Sequence, residues 1–185
     1  VVRGKPCEDL SALPCPDYEE YFTHLEKLNM PIAGVWLPYE TSRGCWWGEK
    51  HHCTFCGLNG AHMAMRQKNP VEAFRDISIL SARYAMEGIC MTDNIMPVAF
   101  HKTLVPELAR AQSKPLIFYE QKANLSLLQV EALSRAGIKE IQPGIESLST
   151  NLLSIIRKGT TAKQNIALLR YARLCGIRVR WNLLY

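Results

Sequence analysis

Apolar and polar positions alternate along this chain in two rhythms, and the rhythms take turns. Short apolar runs read as strands: Ile32–Leu37, Gly88–Thr92, Leu116–Tyr119, Ile138–Gln142 and Ile177–Leu184. Between them lie longer stretches with helical spacing of apolar residues. Pro70–Glu87 predicts a helix with proline in its first turn and Gly88 just past its end. Val98–Ala111 predicts a helix that Pro106 must kink or divide. Ser126–Ala136 predicts a helix closed by Gly137. Ser149–Ile156 and Ala162–Leu174 predict two more, separated by Gly159, with Gly176 closing the second. Strand–helix alternation with crossovers of this length argues for a parallel sheet covered by helices. Five such strands without a sixth unit predict an α/β fold, an open or partial (β/α) barrel with parallel strands. In such barrels functional residues gather at the C-terminal ends of the strands.

Residues 1–30 stand apart from that rhythm. Pro6, Pro14 and Pro16 predict an extended or looped start. Asp17 then reads as the N-cap of a helix over Tyr18–Leu28, with Tyr21, Phe22, Leu25 and Leu28 on one face. The chain lacks an initiator methionine and stops inside the last predicted strand. The expectation is a fragment: a linker and short helix over 1–30, and a core over 31–185 truncated at its C-terminus.

Composition adds little beyond this. With 48% hydrophobic and 21% charged residues in 185, the chain can bury one real core and is not disordered. The net charge of +5 is scattered. Its densest basic stretch, Arg170–Arg180, reads as a helix end and a strand, so no nucleic-acid partner is expected. No apolar run approaches ~18 residues and no signal peptide opens the chain, so no membrane partner is expected. Seven cysteines, an odd number without signs of export, argue against a disulfide framework and for a reducing cytoplasm.

Three of those cysteines change the picture. Cys45, Cys53 and Cys56 have the spacing Cys-x7-Cys-x2-Cys and directly follow the first predicted strand. Three thiolates with no obvious fourth suit a metal centre with one open coordination position. Zinc is one reading: Cys53 and Cys56 form a half-site that Cys45 and one of His51, His52 or His62 could complete. An iron–sulfur cluster is the other. Structural zinc sites come as paired half-sites, and no second pair exists here. The loop is also rich in aromatics and glycine (Trp46, Trp47, Gly48, Phe55, Gly57, Gly60), which suits a large cluster beneath an organic cofactor. Trp46 and Trp47 are expected to pack the loop, one of them bordering the cavity. Cys90 and Cys175 read as small buried hydrophobes, and His51 and His52 as solvated.

The string Thr41-Ser-Arg-Gly-Cys-Trp-Trp-Gly-Glu-Lys-His-His-Cys-Thr-Phe-Cys-Gly-Leu-Asn-Gly60 resembles the radical S-adenosylmethionine superfamily. It is most similar to maturases of ribosomally made, post-translationally modified peptides that carry a cobalamin domain before the radical domain. The first cysteine gap is four residues longer than the superfamily's usual Cys-x3-Cys-x2-Cys. The run Leu13–Phe22 resembles the linker that follows the cobalamin domain in that group.

The resemblance implies a partial barrel of the radical S-adenosylmethionine type. It implies a 4Fe-4S cluster on Cys45, Cys53 and Cys56 that cleaves S-adenosylmethionine to a 5′-deoxyadenosyl radical, with Phe55 as the aromatic before the third cysteine. It implies cofactor contacts from Asp93 and Asn94 after the second strand and Glu120 at the end of the third. Glu146 and Ser147 follow in Gln142-Pro143-Gly144-Ile145-Glu146-Ser147, near the ribose. Lys158, with Arg157, could pair with the methionine carboxylate. The implied reaction is C-methylation of a precursor peptide through cobalamin held by a domain outside this chain, with a flavodoxin or ferredoxin as electron donor. Crosslinking, epimerisation or methylthiolation by a radical enzyme, and a non-catalytic zinc module, are the alternatives.

Overall fold

The computed structural model describes residues 4, 7–57 and 63–184. Pro6, Gly60, His62 and the terminal Tyr185 lie outside the described residues, so His62 as a zinc ligand is not placed. The elements in chain order are α1 (Glu19–Lys27), β1 (Trp36–Tyr39), β2 (Ser42–Arg43), α2 (Trp46–Lys50), β3 (Arg66–Gln67), α3 (Pro70–Arg83), β4 (Gly88–Met91), α4 (Leu104–Arg110), β5 (Leu116–Gln121), α5 (Leu127–Arg135), β6 (Ile138–Pro143), α6 (Thr150–Ile155), α7 (Ala162–Leu174) and β7 (Arg178–Val179).

Among the described residues, five strands form one parallel sheet in the order β1-β4-β5-β6-β7. Each strand lies beside the next of the sheet in chain order, as helical crossovers require. α3 packs on α4, α4 on α5 and α5 on α7, so the helices form a layer against the sheet. The core between them holds Leu37, Ile77, Leu80, Ile89, Phe100, Leu104, Ile117, Val130, Leu133, Ile138, Ile141 and Leu168. The expected α/β fold with parallel strands is what forms.

Local signals explain most boundaries. Asn69 caps α3 through a side-chain acceptor for the Val71 N–H, and Pro70 occupies the first turn. Ser126–Gln129 and Thr161–Gln164 are reciprocal capping boxes that start α5 and α7. Gly137, at φ +86°, turns the chain from α5 into β6.

Several boundaries depart from the sequence expectation. The first strand runs over Trp36–Tyr39 instead of Ile32–Leu37. Residues 32–35 form a turn, with the Val35 N–H on the Ile32 carbonyl and Gly34 at φ +86°. Pro38 is tolerated because β1 lies at the sheet edge. α3 stops at Arg83, four residues early, because Tyr84 turns extended. Its ring stacks on Phe22 at 5.1 Å, and its hydroxyl accepts from the Tyr18 N–H and meets Asp17.

α1 starts at Glu19, whose N–H the Asp17 carboxylate accepts. Phe22 and Leu25 face inward, but Tyr21 and Leu28 are exposed. The break expected at Pro106 falls earlier, between a 3-10 turn over Val98–His101 and α4, leaving Pro106 in a first helical turn. The fifth strand shrinks to two residues. It pairs with Glu140 and Ile141; beyond them Pro143 has no N–H to continue the ladder, and pairing resumes only at Glu146 and Leu183.

No helix among the described residues is long and apolar enough to cross a membrane.

Candidate metal and cofactor site

The cysteines sit on a long excursion between β1 and α3. Its base is closed by the antiparallel pairing of β2 with β3 and by the Lys68 N–H on the Thr41 carbonyl. Gly44, at φ +95°, lets the chain pass against the Ala64 carbonyl, where any Cβ would overlap. Cys45 then caps α2, its sulfur accepting from the Gly48 N–H at 3.3 Å. Farther along, the Thr54 N–H bonds to the Ile156 carbonyl, and the Cys56 N–H closes a tight turn on the Cys53 carbonyl.

The root of this loop is held by Asp93. Its carboxylate accepts from the Thr41 N–H (2.8 Å), the Thr41 hydroxyl (2.6 Å), the Ser42 hydroxyl (2.5 Å) and the Tyr119 hydroxyl (2.8 Å). Burial pushes the Asp93 carboxyl up from its ordinary range, against those hydrogen bonds.

The loop closes over a cavity of about 230 Å³ at the C-terminal ends of the strands. Cys45, Cys53 and Cys56 line it, with Trp47 and Phe55 from the same loop. Asn94 and Ile95 follow β4, Glu120 and Gln121 end β5 with Lys122 just past it, and Gln142 and Pro143 end β6 with Gly144 and Glu146 just past it. Lys158 and Asn182 complete it. Three thiols thus face two carboxyls and two ammonium groups.

Electrostatics inside are tight. Lys158 Nζ lies 3.0 Å from Glu146 and 5.4 Å from the centre of the Phe55 ring. Glu146 adopts φ +56°, a conformation a non-glycine residue holds only when its surroundings impose it. Lys122 Nζ donates to the Lys158 carbonyl and sits 3.8 Å from the centre of the Trp47 ring. Burial, reinforced by Lys158, pulls the Lys122 ammonium down to about 8. Burial pushes Glu120 up to about 7, with Lys158 opposing and Asp93 and Glu146 adding. Burial also raises the Cys53 thiol, while Lys158 and Lys122 pull it back.

Of the cofactor contacts expected from sequence, Phe55, Asn94, Glu120, Glu146 and Lys158 meet in this cavity with the three cysteines. Asp93 does not. It is 1% exposed, and its acceptors are taken by Thr41, Ser42 and Tyr119, so it anchors the loop and has no face toward a ligand. Ser147 is likewise withdrawn: its hydroxyl accepts the Ser149 N–H, and Asn165 binds its carbonyl. Arg157 projects to a neighbouring surface groove, and only its carbonyl turns inward, toward Trp47 and Cys53.

Lys122 had no sequence signal beyond a position at a strand end. Trp47 is the tryptophan that borders the cavity, whereas Trp46 donates to the Met96 carbonyl. His51 and His52 are exposed, and Cys90 and Cys175 are half-buried and not fully buried.

Among the described residues no three His, Cys, Asp or Glu side chains converge to hold one metal ion. A cubane cluster spreads its thiolates over separate irons and needs no common point, so three sulfurs around one cavity fit it.

A parallel α/β sheet with a three-cysteine cavity at its C-terminal strand ends defines a cofactor-bearing enzyme domain. Residues 39–185 match the Radical SAM superfamily, and the chain belongs to that superfamily. The superfamily implies a 4Fe-4S cluster and S-adenosylmethionine.

The chain is 24% identical over 184 residues to "Uncharacterized methyltransferase PH0819" of Pyrococcus horikoshii, covering 95% of this chain and 39% of that protein. It resembles the cobalamin-dependent S-adenosylmethionine radical enzyme OxsB with a TM-score of 0.73 at 22% identity, over 93% of this chain and 26% of that one. It resembles the radical S-adenosylmethionine methyltransferase TsrM of Kitasatospora setae with a TM-score of 0.69 at 19% identity, over 87% and 32%. These structural likenesses show the fold. The chain spans about two-fifths of the curated relative's length and about a quarter of OxsB.

Proposed function

We propose that this chain is the radical domain of a cobalamin-dependent C-methyltransferase that modifies an unactivated carbon of a ribosomally made precursor peptide. The carrying observation is the cavity that gathers Cys45, Cys53 and Cys56 with Glu120, Glu146, Lys122 and Lys158 at the strand ends. Membership of the superfamily supports the chemistry, and the word methyltransferase attached to PH0819 and TsrM supports the reaction. The loop residues between the cysteines support the peptide substrate.

In this reading the three cysteine sulfurs ligate a 4Fe-4S cluster. When bound, the cluster supplies the electron that opens the sulfonium of S-adenosylmethionine. The chain's own residues do the rest. The Gly48 N–H stabilises the Cys45 thiolate. Lys122 and Lys158 offer cationic donors for the cofactor's carboxylate, and their charge favours three thiolates in one cavity. Glu120 and Glu146 offer acceptors for its ammonium and ribose hydroxyls. Phe55 and Trp47 keep bulk water out of the cavity. Cobalamin is carried by another domain, and a flavodoxin or ferredoxin supplies electrons.

Anaerobic reconstitution of the full-length protein should give about four irons per chain and a broad absorption near ~400 nm. Reductive cleavage of S-adenosylmethionine should accompany it. Cys53→Ala should lose both, and full cleavage by that variant would overturn the reading. Labelled methyl groups should reach the peptide only when cobalamin is present.

A further inference from the structure

Lys122 is buried at 6% exposure beside the cysteines, yet its charge has no carboxylate to meet. Its Nζ donates to the Lys158 carbonyl at 2.5 Å and lies 3.8 Å from the centre of the Trp47 ring. Among the described residues no aspartate or glutamate forms an ion pair with it, and none figures among the groups that act on its charge. Two other lysines with little exposure are paired: Lys158 with Glu146 at 3.0 Å and Lys68 with Asp76 at 2.9 Å.

A charge taken out of water persists only against compensating charges and dipoles. The Lys158 carbonyl and the face of the indole supply part of that compensation. The rest comes from the cysteines. Burial and Lys158 disfavour the Lys122 ammonium, whereas Cys53 and Cys45 favour it. The effect is mutual: burial disfavours the Cys53 thiolate, and Lys158 and Lys122 favour it.

One stretch of backbone holds these groups together. The Arg157 carbonyl accepts the Trp47 indole N–H at 3.0 Å and lies 3.8 Å from the Cys53 sulfur. The next carbonyl, that of Lys158, accepts from Lys122. Ammonium, ring and sulfur are therefore fixed relative to one another before any cofactor arrives.

We propose that Lys122 is the fixed counter-charge of the cluster on Cys45, Cys53 and Cys56 and raises its reduction potential. The inference rests on the cluster reading above and adds the side chain that sets how readily the cluster takes up its electron. Reduction adds one negative charge to the cysteine centre. A fixed cation in a cavity of low dielectric favours that state over the oxidised one. The electron comes from an external reductant, and Lys122 keeps its proton and makes or breaks no covalent bond. Lys158 contributes less, because Glu146 offsets its charge.

Redox titration of the reconstituted full-length protein tests this, with dithionite and mediator dyes and electron paramagnetic resonance as the readout. S-adenosylmethionine is omitted, which leaves out the cofactor's own carboxylate. Lys122→Met, which removes the charge, should lower the equilibrium constant for reduction about tenfold, or about 59 mV in midpoint. Lys122→Arg keeps the charge and should stay within about threefold of wild type, or about 28 mV. If Lys122→Met does not fold or takes up no iron, Lys122→Gln decides, because it is neutral and keeps an N–H donor. A neutral variant with full iron content and a wild-type midpoint would overturn the proposal. So would an equal fall in Lys122→Arg, which would show that packing against Trp47, not charge, sets the potential. Absence of a four-iron centre from the reconstituted wild-type protein would instead overturn the cluster reading, so the two failures are distinct.

Discussion

Asp93 grips Thr41 twice, its carboxylate accepting both the backbone N–H at 2.8 Å and the hydroxyl at 2.6 Å. Thr41 opens the excursion that carries Cys45, so the end of β4 sets where the cysteine loop begins. Two further hydroxyls, from Ser42 and Tyr119, share the same carboxylate. Asp93→Ala would take the Thr41 N–H's acceptor away and leave the hydroxyls only the Thr41–Tyr119 contact and the Ile95 carbonyl, at about 1–3 kcal/mol for each group not rescued by these or by water. The expected outcome is a loss of about 3 kcal/mol in urea unfolding, with reduced iron uptake on reconstitution. Normal stability with normal iron content would show that the loop root is held by other contacts.

A second buried charge sits at Asp76. Lys68 and Asp76 are 3% and 0% exposed and 2.9 Å apart, and the Tyr39 hydroxyl also donates to Asp76. Lys68→Met should cost less than the about 3–5 kcal/mol of a fully stranded buried charge, because Arg75 at 3.0 Å and the Tyr39 hydroxyl still pair with Asp76. Burial alone would raise the Asp76 carboxyl, but hydrogen bonds from Lys68, Tyr39 and Arg75 outweigh it and hold it below its ordinary range. A depressed folded value contributes stability that is present above the unfolded value near ~3.9 and lost as pH falls through the folded value. Urea melts between neutral and acid pH should show that loss in wild type. In Lys68→Met the loss should begin at higher pH.

Glu120 behaves in the opposite sense. Burial, with Asp93 and Glu146 adding and Lys158 opposing, raises it to about 7. Its stabilising contribution is fully present below the unfolded value near ~4.3 and disappears as pH rises through about 7. In the cluster-free protein, Glu120→Gln should therefore gain stability relative to wild type as pH rises across that window. A difference between the two proteins that stays constant with pH would show that Glu120 titrates normally.

Gly159 supports the Trp47 ring. Its φ is +67°, and a Cβ there would run into the Trp47 indole. Gly159→Ala should cost about 2 kcal/mol or more, combining left-handed strain with overpacking. Indole fluorescence should shift with it, and Trp47→Phe should remove that shift. An unshifted spectrum in Gly159→Ala would mean that the ring does not rest on Gly159.

Much was already legible along the chain. The alternation of periods near 2 and 3.6 determined a parallel α/β fold, while Pro70 marked the first turn of α3 and Gly137 and Gly176 the ends of α5 and α7. These are local effects of backbone hydrogen bonding and side-chain spacing, which neighbours in sequence control. The loop carrying Cys45, Cys53 and Cys56 was visible for the same reason. Only the tertiary structure decided what distant residues do to one another. It took Asp93 out of the ligand set by surrounding it with Thr41, Ser42 and Tyr119, and it ended α3 early by docking Tyr84 on Phe22. It brought Lys122 over Trp47, a contact between a strand end and a loop 75 positions away in the numbering. No period or motif encodes such a meeting, because burial and desolvation act on whichever groups the sheet brings together.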